Sequence, residues 1–474
     1  MGTSIAGILY VFLVLYIFMR GKNVFENLVL LYAVSGLFLE IGLVLSIGSS
    51  ELGPTKFLGY ILGFYCVLHV KQVPQRIRKV WLGLIICYIL PLILLFLFPS
   101  TVFVAQGEIT WDVILMDGES PVHPTVDGGV LKMTFSMVLN TFIVVHIFTT
   151  YTSQMYLRLL NRVARISVFL LLIALIEFVC KNYLGMNDFW GECKDAFWGV
   201  TKFTANGRLR GNFYELVLLT KEASHFAYAM FITAIILISH NIINKGKMVS
   251  KSLLLCCFLL LVSTSFSAIL FLVALIALML MYRWYIQKPK TANLEKILAI
   301  SAFIVILTSA AILINYFSDG FVGKRLAFFY ENAEAFFSTD GELNRFLANT
   351  DGSTMIRLTS IIQTLIAFCS RPLFGFSLFA VVCHGSTAMF LANVGIVGMF
   401  VWIKLYFYSY PSENISRSSK ALYAFAILIF LLVNLFNSYL LSPFSGLTPL
   451  LISLSFYYLY VTKCNKNYEN YKIS

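Results

Sequence analysis

The stretch NGRLRGNFYELVLLTKEASHFAY, residues Asn206 to Tyr228, joins a group of charged side chains to the start of an apolar helix. It contains Arg208 and Arg210, followed by Glu222 and His225 where the apolar run begins. Charged groups beside a hydrophobic helix cost free energy unless they are paired or hydrated. We therefore expect this stretch to be functional and the remainder of the chain to be the scaffold that holds it.

The composition of the chain indicates a membrane protein. Of its 474 residues, 59% are hydrophobic and only 12% are charged, and the mean hydropathy is +0.83. A soluble domain carries about 25% charged residues. We predict an all-α polytopic integral membrane protein that forms a single membrane domain over residues 1–474.

Apolar runs of about 17–25 residues are typical of transmembrane helices. The sequence contains about thirteen such segments (between 12 and 14), and we expect a large periplasmic loop late in the chain. The segments are 3–19, 27–47, 56–70, 80–99, 133–154, 166–180, 223–243, 252–264, 267–286, 297–316, 386–408, 421–437 and 446–462.

The positive charge follows the predicted topology. The net charge is +12, and the basic residues cluster in short loops on one side of the predicted spans. This is the positive-inside pattern of membrane proteins, so it predicts an external N-terminus and a cytoplasmic C-terminus. It also argues against a nucleic acid as the partner of the basic residues.

The longest loops lie on the outer side, at 100–131, 181–222 and 317–385. The inner loops are short, and the chain has no GxxxxGK[ST] phosphate-binding loop. No histidine and cysteine spacing typical of a metal site is present. We therefore expect chemistry at the outer face without ATP, metal or cofactor.

The first cluster of candidate site residues lies in the loop 181–222 and at the helix start that follows it. Arg208 and Arg210 point the same way in an extended chain, and their planar guanidinium groups can bind phosphate or carboxylate bidentately. Glu222 and His225 are three residues apart at a helix start, so we expect them to share a face. The alternatives are a headgroup anchor for the arginines and a structural role for Glu222 and His225.

The second cluster lies in the loop 317–385. Arg357 is in the first turn of a predicted helix, Thr354 to Cys369, where the positive end of the helix dipole disfavours a cation. This placement suggests an anionic partner. Arg371 precedes the proline that stops the helix, and His384 lies at the outer end of a span, where it can accept a proton. A plain loop residue and an interfacial histidine are the alternatives for these two.

Two carboxylates lie within or near predicted spans. Glu40 and Glu177 each stand alone in their spans. A proton path is conceivable for such residues, but we favour a structural role for both.

The two clusters resemble the blocks of the Wzy-type O-antigen polymerase and O-antigen ligase superfamily. Arg210-Gly-Asn-Phe and Glu222-Ala-Ser-His225-Phe-Ala are similar to its R-x-G-x-F and E-P-S-h-F-a motifs, with Ala223 where proline is usual. The second block is similar in Met355-Ile-Arg357, Arg371-Pro-Leu-Phe-Gly375-Phe, His384-Gly-Ser and Gly395-Ile-Val-Gly398. The similar blocks cover about 80 residues.

The resemblance implies a metal-independent, inverting glycosyltransferase of the bacterial inner membrane, with its active site facing the periplasm. Its donor would be an oligosaccharide linked to undecaprenyl pyrophosphate, and a protein that regulates chain length would be an expected partner besides the bilayer. Fixed arginines would stabilise the pyrophosphate leaving group; the candidates are Arg210, Arg357, Arg371 and Arg208. The candidates for the group that guides the acceptor hydroxyl are His384, Glu222 and His225.

Two other functions remain open at this stage. An O-antigen ligase would transfer the finished glycan to lipid A–core with the same motifs. A polysaccharide flippase or another transporter would instead carry charges inside its spans, together with internal repeats and short outer loops. This chain has its charge in long outer loops instead.

Overall fold

The structure is a computed structural model of the chain. It describes residues 4–39, 43–47, 50–69, 73–98, 126–199, 209–210, 213–218, 220, 222–245, 248–263, 265–282, 361, 364–365, 367–381, 385–408, 417–435, 444 and 446–464.

The described chain is mostly helical, with two short antiparallel hairpins. In chain order the elements are α1 (Ile5–Arg20), α2 (Val24–Phe38), β1 (Leu45–Ile47), β2 (Ser50–Leu52), α3 (Pro54–His69), α4 (Gln75–Leu97), α5 (Gly128–Thr150), α6 (Ser153–Asn182), α7 (Asn187–Trp198), β3 (Leu209–Arg210), β4 (Phe213–Tyr214), α8 (Ala223–Lys245), α9 (Lys251–Val262), α10 (Phe266–Met281), α11 (Ser386–Tyr408), α12 (Arg417–Leu435) and α13 (Thr448–Cys464).

Five helices within the described ranges are long and apolar enough to cross a membrane, namely α4, α5, α6, α8 and α11. Several shorter apolar helices accompany them, among them α1, α2, α9 and α10. The predicted class, a helical membrane protein, is confirmed at this level. The predicted span at 297–316 and most of the loop 317–385 lie outside the described residues.

Local sequence signals explain where several helices begin and end. The Asp127 carboxylate accepts a hydrogen bond from Val130 N at 2.7 Å, and Ser250 and Thr152 cap α9 and α6 in the same way. Such caps satisfy amide groups that lack a partner inside the helix. Gly21 ends α1 in the left-handed conformation, at φ 66°.

The predicted span 27–47 is wrong in its second half. Helix α2 ends at Phe38, and Leu45–Ile47 forms β1, which pairs with β2. Contacts from distant segments explain the difference: Leu43 N donates to Trp198 O at 2.9 Å, and the Ser4 hydroxyl donates to Leu43 O. These bonds satisfy a backbone that the apolar sequence alone would assign to a helix.

Helix α8, which follows the first candidate cluster, is the most buried of the five long helices. It packs against α6, α9, α10 and α13. Helix α11 packs against α4, α12 and α13. By contrast, α1 leaves large apolar side chains such as Phe12 and Tyr16 exposed. Such exposure is favourable in lipid, because lipid tails are as apolar as these side chains. Helices α8 and α11, which follow the two candidate clusters, are therefore more buried than α4 and α6.

Candidate active site

Arg210 lies in β3, the first strand of a short hairpin. Its Cα pairs with that of Phe213 in β4, and Leu209 pairs with Tyr214. The extended conformation that we expected around Arg210 is therefore present. Arg208 lies outside the described residues.

The last turn of α6 holds the end of this hairpin. Tyr214 N donates to the Asn182 side-chain oxygen at 2.6 Å, and Lys181 Nζ donates to Glu215 O at 3.5 Å. Two consecutive residues of α6 thus bind two consecutive residues of the strand exit. The position of Arg210 is therefore tied to the C-terminal end of α6.

A buried group of charges underlies the same turn. Glu177 Oε1 lies 2.7 Å from Lys181 Nζ and 2.9 Å from Lys194 Nζ, and all three side chains are buried. Burial lowers the pKa of Lys194 to about 8, while the neighbouring Glu177 carboxylate opposes this shift. Buried charges of this kind are tolerated only when they are paired, and here the pairing fastens α7 to α6.

The structural role that we favoured for Glu177 is supported, because its carboxylate is paired with two lysines that lie outside the predicted span. Its first partner, Lys181, follows four residues later on the same helix face, and that spacing is visible in the sequence. Its second partner, Lys194, comes from α7 and could be found only from the tertiary fold. Glu40, which we grouped with it, lies outside the described residues.

The start of α8 carries Glu222, Ser224 and His225. The backbone oxygen of Glu222 accepts hydrogen bonds from His225 N and Phe226 N, both at 3.0 Å. The Ser224 hydroxyl donates to Glu222 Oε2 at 3.2 Å. Glu222 is exposed, whereas His225 is 5% exposed. The two side chains therefore differ in burial, with Glu222 directly before the helix and His225 in its first turn.

The second cluster contains a loop that lies along a broken helix. Phe376 N donates to Ala392 O at 3.0 Å, Ser377 N to Asn393 O at 2.9 Å, and Ile396 N to Pro372 O at 2.8 Å. The loop therefore lies along the helix segment on both sides of Gly395. Helix α11 is interrupted at Gly395, with φ 69° and ψ 179°. The loop supplies partners for the backbone groups that the break leaves free.

The side chain of Asn393 closes the loop. Its oxygen accepts from Val381 N at 2.9 Å, and its nitrogen donates to Val381 O at 2.8 Å. Asn393 is fully buried, so its hydrogen-bonding capacity is used on the loop rather than on water.

Arg371 stands at the start of this loop. Residues 367–370 are helical and the helix ends before Arg371, as the following proline predicts. The guanidinium group donates to Phe98 O at 3.2 Å and lies 4.9 Å from the centre of the Phe376 ring. Burial lowers the pKa of Arg371, but a guanidinium stays charged at any physiological pH.

The two clusters meet through the end of α12. The Tyr228 hydroxyl, one turn into α8, lies within reach of the Asn434 side-chain amide. The adjacent residue, Leu435, places its carbonyl against Gly385, where a Cβ atom would be 2.5 Å from it. The Thr387 hydroxyl donates to Leu431 O at 2.7 Å. The start of α8 and the start of α11 are therefore neighbours at one end of the bundle.

Besides Arg208, two candidate residues fall outside the described part of the chain, namely His384 and Arg357. Gly385, which follows His384, is described, and so are Ile361 and Thr364, which follow Arg357. A Cβ atom on Gly385 would lie 2.7 Å from Ile361 Cγ1. Gly385, one residue after His384, therefore lies against the C-terminal end of α12, and Ile361, four residues after Arg357, lies beside Gly385.

The sequence did not identify Lys181, Lys194 or Glu215 as part of the site. Glu215 is buried beside the Arg210 hairpin. Its position within an apolar run, YELVLL, was a signal that a carboxylate there needs a partner.

No family model, curated protein or solved structure matches the chain. The chemistry of the site is inferred from its residues and their geometry.

Proposed function

We propose that the chain is an O-antigen polymerase, a membrane glycosyltransferase that joins lipid-linked oligosaccharide repeat units. It transfers the growing glycan from undecaprenyl pyrophosphate to a new lipid-linked repeat at the periplasmic face of the bacterial inner membrane. The reaction needs no metal and inverts the anomeric carbon.

The observation that carries this proposal is the meeting of the two sequence clusters. Tyr228 of α8 lies near Asn434 of α12, and α12 contacts the start of α11 through Leu435 O against Gly385 and Leu431 O bound by Thr387. Residues that are about 160 apart in the chain therefore share one end of the bundle. Such convergence is what a single site with arginines and a base requires.

The arginines supply positive charge where the leaving group develops negative charge. Arg210 and Arg357 stabilise the pyrophosphate, with Arg371 and Arg208 in support. Fixed guanidinium groups suit this task because they stay charged and bind phosphate oxygens in pairs. The anchoring of the Arg210 hairpin by Asn182 and Lys181 supports the role of a preorganised binder.

The acceptor sugar needs a group that receives its proton. The acceptor hydroxyl oxygen bonds to the anomeric carbon, the bond from that carbon to the pyrophosphate oxygen breaks, and the hydroxyl proton passes to His384 or Glu222. Glu222 is exposed and able to meet an acceptor. His225 is buried, which favours a positioning role at the start of α8.

A gel of lipopolysaccharide from cells that lack this gene tests the proposal. We expect cores that carry a single repeat and no ladder. Wild-type protein restores the ladder, whereas Arg210→Ala and Arg357→Ala fail to do so. Lys132→Ala is the matched control, since Lys132 is an exposed cation outside both clusters.

Other gel patterns would contradict the polymerase. Bare cores, with long polymer retained on undecaprenyl pyrophosphate, would indicate the ligase instead. Lipid-linked repeats trapped at the inner face would indicate a transporter. An unchanged ladder would exclude this substrate.

A further inference from the structure

Helix α7 combines one buried face with two exposed faces of different character. It packs against α6 and α1, and its buried residues are Asn187, Gly191 and Lys194. Lys194 reaches Glu177 of α6 from this face. The two remaining faces are exposed, one apolar and the other acidic, so they suit two different surroundings.

The exposed apolar residues of α7 form one stripe. Phe189, Cys193 and Phe197 follow one another at intervals of four residues, which places them on the same side of the helix. Phe189 is 54% exposed and Phe197 is 42% exposed, and Cys193 and Ala196 are exposed between them. Two aromatic rings left in water would forgo the free energy of their burial, so this stripe suits an apolar environment.

The acidic residues of α7 lie on a separate strip. Asp188 and Glu192 are exposed and four residues apart, and Asp195 follows on the same side. Because each residue turns the helix by about 100°, this strip is centred roughly 130° away from the apolar stripe. One exposed side of the helix is therefore charged and the other apolar, as in helices that lie at a membrane surface.

Each end of α7 is bound to the end of a membrane helix. At its start, Met186 N donates to Cys180 O in the last turn of α6, at 2.9 Å. At its end, a Cβ atom on Gly199 would lie 3.4 Å from Cβ of Ser4, the residue that caps the start of α1. Helix α7 therefore connects the C-terminal end of α6 to the N-terminal end of α1.

These two helix ends lie on the same side of the bundle. At the other side, α2 begins shortly after α1 ends, and its first turn contacts the start of α6: Glu26 with Arg158 and Asn27 with Arg162, both at 3.4 Å. The end of α1 and the start of α6 are therefore neighbours, so the start of α1 and the end of α6 lie on the opposite side. Since α7 joins two helix ends of one side, it runs along the membrane surface rather than across it.

The length of α6 places α7 at the depth of a lipid interface. Arg165 is exposed near the start of the apolar part of α6, and the segment from Arg165 to Asn182 rises about 26 Å. The hydrocarbon core of a bilayer is about 30 Å thick. With Arg165 at one headgroup layer, α6 therefore ends near the other, where α7 begins.

The lipid-facing surface of α6 also continues to the start of α7. Ile176 is 53% exposed within α6, and Tyr183 and Leu184, between the two helices, are more exposed still. Such side chains are stable on a transmembrane helix because lipid surrounds them. Lipid is therefore the apolar material already present beside the stripe on α7.

We propose that α7 is an interfacial helix that lies along the membrane, with Phe189, Cys193 and Phe197 inserted into the lipid of one leaflet. Asp188 and Glu192 face the water. The inference uses the membrane class of the protein and does not depend on the proposed reaction.

Spin labels on neighbouring residues of α7 test the proposal. Two full-length single-cysteine proteins, with all other cysteines replaced by alanine, carry a nitroxide. One keeps Cys193, and its matched control combines Cys193→Ala with Glu192→Cys. Both are placed in dioleoyl phosphatidylcholine liposomes that are frozen and thawed with the relaxation reagents. We expect the ratio of oxygen accessibility to accessibility for a water-soluble nickel chelate to be several-fold higher at position 193 than at position 192, because oxygen concentrates in lipid.

A second measurement decides the question if the substituted chains are unstable. The wild-type protein in the same liposomes reacts with a water-soluble maleimide, and peptide mass spectrometry follows the modification of Cys193. The comparison is a chain with only Glu192→Cys and Cys193→Ala. We expect modification at position 193 to be several-fold slower than at position 192, and denaturation to remove most of the difference.

Three results would overturn the proposal. Equal access of the nickel chelate to both labels, or equal rates of modification, would place the apolar stripe in water. A label at position 193 that neither oxygen nor the chelate reaches would show that another segment of this chain covers the stripe. The same protection with dipolar broadening between labels would assign the stripe to contact with a second copy of the chain.

Discussion

Gly375 and Gly395 lie opposite each other where the loop 371–381 crosses the break in α11. Both have a left-handed φ, +70° for Gly375 and +69° for Gly395. A Cβ atom on Gly375 would collide with the backbone of Asn393, and one on Gly395 would collide with the backbone of Leu373. Each glycine thus makes room for the segment that contains the other.

Alanine at either glycine should destabilise the protein. Gly395→Ala would place a side chain in a φ and ψ region that only glycine occupies and would also push the loop away. Gly21→Ala is a matched control, because Gly21 has a similar φ of +66° but open space around it. We expect a cost of about 1–2 kcal/mol for the control and a larger one for Gly375→Ala and Gly395→Ala. Thermal unfolding in detergent measures the loss of stability. Equal losses for the control and for the other two variants would disprove close packing between the loop and α11.

Polymer length should depend on the shape of the Arg371 side chain as well as on its charge. Its guanidinium both bonds Phe98 O and stacks on Phe376, and a lysine keeps the charge but not this planar geometry. We expect Arg371→Lys to shorten the polymer ladder and Arg371→Ala to shorten it further. A full ladder from Arg371→Lys, in cells with normal protein levels, would mean that only the charge matters.

Removing Glu177 should be much more harmful than removing a surface carboxylate. Glu177→Gln leaves Lys181 and Lys194 buried together without their carboxylate, and breaking a buried pair costs about 3–5 kcal/mol. Glu192→Gln is the control, since Glu192 is exposed on α7. The measurement is the melting temperature of each purified variant. The triple replacement of Glu177, Lys181 and Lys194 by Met should recover much of the loss, and failure to recover would argue against charge as the cause.

Stability should rise with pH above neutrality because of Lys194. Its pKa is about 8 in the folded protein and about 10.4 in an unfolded chain. Between these values the unfolded state binds more protons, so the free energy of unfolding increases with pH, by at most about 1.4 kcal/mol per pH unit. Below pH 8 the cost of burying the charged amine is present in full. Denaturation at a series of pH values checks this, with Lys194→Met expected to remove the slope.

The sequence predicted the helical membrane class because hydrophobic run length is a local property. It placed α8 at 223–243 and α11 at 386–408, within two residues of the helix bounds that the structure gives. It did not predict the break in α11, since a glycine inside an apolar run is compatible with an ordinary helix. The break is fixed by hydrogen bonds to Pro372 and Phe376, which no local pattern contains.

The residue types of the candidate site could be predicted from the sequence, but the contacts that hold those residues in place could not. The charged residues near Arg210 stood out against an apolar background. The partnership of Lys194 with Glu177 joins two helices, so it has no signature in either segment. The span predicted at 27–47 failed for a similar reason, because Trp198 and Ser4 bind the backbone at Leu43 from far away in the chain.

The length of α6 has a consequence for the hairpin that it carries. Its 30 residues extend about 45 Å, whereas the hydrocarbon core of a bilayer is about 30 Å thick. The number of residues in α6 therefore sets the height of the Arg210 hairpin, which is bound to the C-terminal end of the helix. One residue inserted into α6 would lift the hairpin by about 1.5 Å and swing it by about 100° around the helix axis. The position of the hairpin therefore depends on the exact number of residues in α6 as well as on the hydrophobicity of the helix.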